Sequence, residues 1–245
     1  MFEIMDPLIW IVAISVAGPI IGSAIGILKV PTFGYICNML CFAAGVMLGI
    51  SFLELIPESL AMSSPWITIG GVILGSLVMY GLDRIIPHIH PGLCSQEQGC
   101  NLERTSVYLI MGILLHNFPE GMAIAIGAVT ETKVSLSIAL AIAVHNIPEG
   151  ICTSAPYYHS TGKKMQSFLL SSSTAIPILL GYVTARYLFQ NVSLQMVSIL
   201  ISATAGVMIY ITADELIPHS CAGTDHKTIF SLILGVIFVI LLGSL

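Results

Sequence analysis

The sequence predicts an all-α, polytopic membrane protein of eight transmembrane helices arranged as an inverted repeat, on three observations. First, its 245 residues are 56% hydrophobic and only 9% charged, with a mean hydropathy of +0.96. Soluble domains carry roughly 25% charged residues, so this chain has too little polar surface to face water. Second, eight apolar runs approach the ~20 residues that cross a hydrocarbon core. Third, the chain repeats itself: AGVMLGISFLELIPES at 44–59 and AGVMIYITADELIPHS at 205–220 share AGVM, ELIP and a final Ser at a constant offset of 161.

The apolar cores, extended into their flanks, place helices at about 8–30, 34–57, 66–86, 105–129, 134–156, 165–189, 195–218 and 227–245, within a single domain over 1–245. In the first run, Leu8–Leu28 carries no charge. It follows the acidic MFEIMDP, which argues against a cleaved signal peptide with a basic leader. Gly18, Gly22 and Gly26 form two successive GxxxG steps, and Gly45/Gly49 and Gly71/Gly75 repeat the spacing on the second and third helices. Such spacing lets helix backbones approach closely in lipid and permits a homodimer. The loop at 87–104 is too short for a nucleotide-binding domain.

Charges orient the chain. Lys29, Arg84, Arg104, Lys163, Lys164 and Lys227 fall in one set of alternate loops, against Lys133 and Arg186 in the other. The positive-inside rule makes the richer set cytoplasmic, which puts both termini outside. Of the six cysteines, Cys37, Cys41 and Cys152 fall within spans while Cys94 and Cys100 fall in the cytosolic loop, so no disulfide framework is expected. The net charge of −5 is small and dispersed, which excludes nucleic acid as a partner.

A second repeat lies between the halves of the first: HNFPEG at 116–121 and HNIPEG at 145–150. Spans 2 and 7 therefore correspond, as do spans 4 and 5. Both pairs are separated by an odd number of crossings, which is the pattern of an inverted repeat around a midplane site. Three helices, a central pair and three more is the simplest division.

Chemistry concentrates in the central pair. His116 and Glu120 are i, i+4 and share a helix face, as do His145 and Glu149. Pro119 and Pro148 remove backbone bonds to the carbonyls of Leu115 and Val144, so both helices are expected to be broken there, with Gly121 and Gly150 giving room beside each carboxylate. An ionised group at mid-membrane costs about 2.5–3.5 kcal/mol, and packing alone does not explain its duplication. Imidazole, carboxylate and amide suit a divalent cation: Zn²⁺ first, with Fe²⁺, Mn²⁺ and Co²⁺ open because no thiolate is required. Two His, two Asn and two or three Glu exceed the needs of one tetrahedral ion, so a binuclear site is expected. Two other readings stay open on these residues. One is an intramembrane metal-dependent hydrolase, with His and Glu holding a zinc-bound water; the other is a proton- or sodium-coupled carrier of an organic substrate.

At LHNFPEG, LHNIPEG, DELIP in span 7 and GLDRIIPHIHP (81–91), the sequence resembles the ZIP (Zrt/Irt-like) family of metal transporters, in its bacterial ZupT-like branch. The resemblance covers nearly the whole chain. It implies a multi-pass protein of the bacterial inner membrane with eight helices in a 3+2+3 arrangement and outward termini. It also implies import of Zn²⁺, with Fe²⁺, Mn²⁺, Co²⁺ and Cd²⁺ as further substrates, no resident cofactor and no enzymatic activity. Carried over by position, His116, Asn117 and Glu120 are ligands from helix 4, His145, Asn146 and Glu149 from helix 5, and Glu215 reaches in from helix 7. Met47 lies where some relatives place a soft ligand, although core packing accounts for it equally well. Where many relatives have a Glu before the Pro of helix 6, this chain has Ile176 before Pro177. His88, His90, Cys94 and Cys100 are read first as solvated loop residues, with transient metal binding on the inner side as the alternative, and Asp214 as a residue behind the ligands or at the entrance, without an assigned role.

Overall fold

The structure, a computed structural model, describes residues 7–85, 102–130, 132–188, 193–220 and 227–243. Residues 87–101 of the expected cytosolic loop, with His88, His90, Cys94 and Cys100, lie outside the described residues. Among the described residues there are eight helices and no strand.

Helix α1 spans Pro7–Gly26 and stops short of the expected end at 30. The residue before a proline is pushed out of the helical region, and Val30–Pro31 follows a closing turn in which Leu28 N donates to Ile25 O at 3.1 Å. Thr32 then caps α2, accepting from Tyr35 N, and α2 runs Phe33–Met62. Pro65 opens α3, Pro65–Ile85. Helices α4 (Leu102–Thr130) and α5 (Thr132–Thr161) follow with one residue between them. Gly162, at φ +67°, ends α5 in the left-handed geometry that favours glycine and donates to Tyr158 O. Helix α6 comprises Lys164–Ser172, a 3₁₀ turn Ser173–Ala175 and Ile176–Leu188. Ser193 caps α7, Leu194–Ile211, which continues through Thr212–Leu216 into Ile217–Ser220. Helix α8 is Lys227–Gly243.

Among the described residues, four helices are long and apolar enough to cross a membrane: α1, α2, α6 and α7. Shorter apolar stretches occur at Pro65–Gly81, Leu109–Ala125 and Thr228–Gly243. The expensive groups are turned inward, while Ile69, Ile73 and Leu77 of α3 and Phe230, Leu234 and Leu241 of α8 are exposed, as a lipid-facing surface requires.

The two copies of the long repeat adopt the same unusual backbone. Ser51–Leu55 in α2 and Thr212–Leu216 in α7 are both π-helical. Each opens on a buried hydroxyl bonded to a methionine carbonyl one turn earlier, Ser51 Oγ to Met47 O and Thr212 Oγ1 to Met208 O, both at 2.7 Å. Single-turn π segments inside α-helices are rare and frequently functional.

The most extensive helix contacts are α1 with α5, α4 with α6, α4 with α5, α3 with α7 and α2 with α8. The glycine stripes serve these contacts. A Cβ on Gly22 would strike the Ile147 carbonyl of α5, and one on Gly181 the Phe118 carbonyl of α4. Likewise a Cβ on Gly45 would strike the Leu232 carbonyl, and one on Gly206 the Val72 carbonyl. The GxxxG faces are therefore occupied within the chain, and a homodimer would need another surface. Hydroxyls join the α1–α5–α6 group: Ser171 Oγ meets both Ser23 Oγ and Thr153 Oγ1 and donates to Gly150 O.

Candidate metal centre

The breaks expected at the prolines do not occur. Pro119 and Pro148 lie inside continuous helices, as does Pro156. Proline is tolerated in membrane helices where neighbours surround the freed backbone, and here α1 and α6 press against these turns. Gly150 admits α1, since a Cβ there would meet Pro19 O and Ser23 N; Gly121 admits α6 at Ile178 O. The two glycines thus serve helix approach rather than room for the carboxylates.

Because α4 and α5 are joined by a single residue, their HNxPEG segments lie side by side, and their side chains pair crosswise. His116 Nε2 donates to Glu149 Oε2 at 3.1 Å, and His145 Nε2 donates to Glu120 Oε1 at 3.0 Å. Within α4, His116 and Glu120 are 3.8 Å apart, so each histidine favours the carboxylate of the opposite helix. Asn146 Nδ2 donates to Glu120 Oε2 at 3.1 Å, while Asn117 Nδ2 donates to the Thr174 carbonyl at 2.6 Å. All six side chains are buried, Glu120 being the most accessible at 8%.

Four atoms of this cluster make no hydrogen bond: His116 Nδ1, Asn117 Oδ1, Asn146 Oδ1 and Glu149 Oε1. A buried polar atom without a partner costs about 1–3 kcal/mol. Three of the four are acceptor oxygens, which is the valence a cation would satisfy. Among the described residues, no three or more His, Cys, Asp or Glu converge as a ready-made cage. The direct His–Glu bonds explain this, because the atoms that would hold an ion hold each other.

Glu215 is buried in the π turn of α7. Asp214, beside it, is partly buried. Met47 is fully buried among Leu40, Ile50, Met208 and Ile211, in apolar packing. Ile176 is 53% exposed, so the contribution of α6 to the cluster is the backbone carbonyl of Thr174, from the 3₁₀ turn ahead of Pro177. A backbone group of this kind leaves no mark in a residue motif. A cavity of about 130 Å³ reaches the cluster, lined by Glu120, His145, Pro119, Glu54 and Glu58 with apolar side chains between them.

Residues 90–243 match the family described as ZIP Zinc transporter. The chain is 38% identical over 210 residues to the zinc transporter ZupT of Escherichia coli O127:H6 (strain E2348/69 / EPEC), covering 82% of each chain. The ZupT proteins of Escherichia coli O1:K1 / APEC and of strain K12 / DH10B match at 37% with the same coverage.

Proposed function

The chain belongs to the ZIP zinc transporter family, and from that premise we propose that it carries Zn²⁺ across the bacterial inner membrane into the cytosol. Members of the family are transporters and not enzymes, which sets aside the hydrolase reading. The observation that carries the proposal is the crosswise pairing of His116 with Glu149 and His145 with Glu120, surrounded by unsatisfied acceptors at membrane depth.

In this reading His116, Asn117, Glu120, His145, Asn146 and Glu149 are the ligands from α4 and α5, and Glu215 joins them from α7. Ligand distances of 2.0–2.2 Å in a tetrahedral shell put a bridged N and O about 3.4 Å apart. The present 3.0–3.1 Å contacts therefore open by a few tenths of an ångström to admit an ion. Two His–Glu pairs offer two such places, which supports a binuclear centre with the carboxylates bridging. Nitrogen and oxygen donors without an obligatory thiolate also accept Fe²⁺, Mn²⁺, Co²⁺ and Cd²⁺.

We further propose that the eight helices form an inverted repeat in a single domain, with α1, α2 and α3 corresponding to α6, α7 and α8, and α4 to α5. Under that exchange the α1–α5 contact becomes α6–α4, and α2–α8 becomes α7–α3; all four are among the most extensive in the fold. The matched glycine contacts and the paired π turns support the same correspondence. The loop charges support outward termini.

The test is influx into proteoliposomes containing a metal-sensitive dye, with Zn²⁺, Fe²⁺, Mn²⁺ and Mg²⁺ presented in turn. Protein-dependent influx of Zn²⁺, and little of Mg²⁺, is expected. A folded protein that admits none of these ions would overturn the proposal.

A further inference from the structure

We infer that Glu54 of α2 is a cation-binding residue on the access path to the α4–α5 centre, the counterpart on the opposite face of what Glu215 is on α7. The inference rests on the transport reading above and adds a binding position to it.

Three observations carry it. Glu54 lines the cavity whose inner wall is formed by Glu120 and His145, so a cation in that cavity meets its carboxylate beside the first pair of the centre. Glu58, one helical turn further along α2, lines the same cavity and is exposed. Next, Glu54 and Glu215 are separated by the repeat offset of 161, each lies in a π turn, and each is followed by Leu-Ile-Pro. An inverted repeat places such counterparts at opposite faces of a shared site. Finally, the Glu54 carboxylate makes no hydrogen bond or ion pair among the described residues, although it is partly buried. A structural carboxylate in a membrane would be paired. This one faces a cavity large enough for several water molecules, which suits a partly hydrated divalent cation.

The two counterparts are not in the same state. Glu215 is only 8% exposed, while Glu54 borders the open cavity. In an alternating cycle, the carboxylate at the open face receives or releases the cation, and the other is covered.

The test is the Zn²⁺ concentration dependence of proteoliposome influx. Glu54→Gln raises the concentration for half-maximal flux about tenfold, whereas Glu54→His, which restores a donor, stays within about threefold of wild type. Unchanged half-saturation in Glu54→Gln overturns this inference and leaves the transport reading standing; absence of wild-type flux overturns both. Should Glu54→Gln not fold, Glu54→Cys decides: the preference for Cd²⁺ over Mn²⁺ rises, and an unchanged preference overturns the inference.

Discussion

Replacing Glu149 by alanine abolishes Zn²⁺ uptake, by at least about a hundredfold, in a protein that still reaches the membrane. Glu149 is 2% exposed, holds His116 through Oε2 and presents Oε1 without a partner. Alanine removes both the anionic ligand and the group that orients the imidazole. Losing an orienting partner alone typically costs 10–100-fold in metal affinity or activity, and loss of a ligand adds to it. The fold should survive, because α5 is seated on α1 through Gly18, Gly22 and Gly150 and not through this side chain. Uptake in cells, normalised to the amount of protein in the membrane, measures the effect. Uptake equal to wild type would remove Glu149 from the site.

A second substitution, with an equally large effect, destroys the fold rather than the chemistry. Gly150→Leu leaves no folded protein in detergent. A Cβ at this position would lie 2.5 Å from Pro19 O and 2.7 Å from Ser23 N, both backbone atoms of α1. Overpacking a core costs typically 1–3 kcal/mol when side chains can yield. Here the obstacle is another helix, held along its length by α5, and leucine adds three more carbons. The cost should take most of a total stability that is about 5–15 kcal/mol for ordinary domains. Gly70→Leu is the control: a Cβ on Gly70 meets nothing within 4 Å, and the residue is exposed on α3. Size-exclusion profiles should show aggregate for Gly150→Leu and a wild-type peak for Gly70→Leu. A wild-type peak for both would contradict the close α1–α5 approach.

Much of this arrangement is legible in the residues. The eight apolar runs mark the eight helices of the described residues, and their ends lie within about five residues of the expected ones. The duplicated HNxPEG segments identify the polar cluster, since nothing else explains two histidines and two glutamates among apolar neighbours. What escapes sequence reasoning depends on three-dimensional neighbours. Helical spacing puts His116 on the same face as Glu120, yet His116 bonds Glu149 across the helix pair. Pro119 and Pro148 suggest breaks, but close helix packing keeps α4 and α5 continuous. The Thr174 carbonyl, which takes the Asn117 amide, has no residue-type signature. The π turns are visible beforehand only as a repeat, and their backbone required the structure.

The central claim is that the cation sits between α4 and α5, held by the crosswise His and Glu pairs. Anomalous diffraction at the zinc edge from Zn²⁺-soaked crystals tests it most directly. Density is expected among His116, Glu120, His145 and Glu149, with nitrogen and oxygen ligands at about 2.0–2.2 Å. Zinc bound elsewhere in the protein, with these four side chains still hydrogen-bonded to one another, would contradict it.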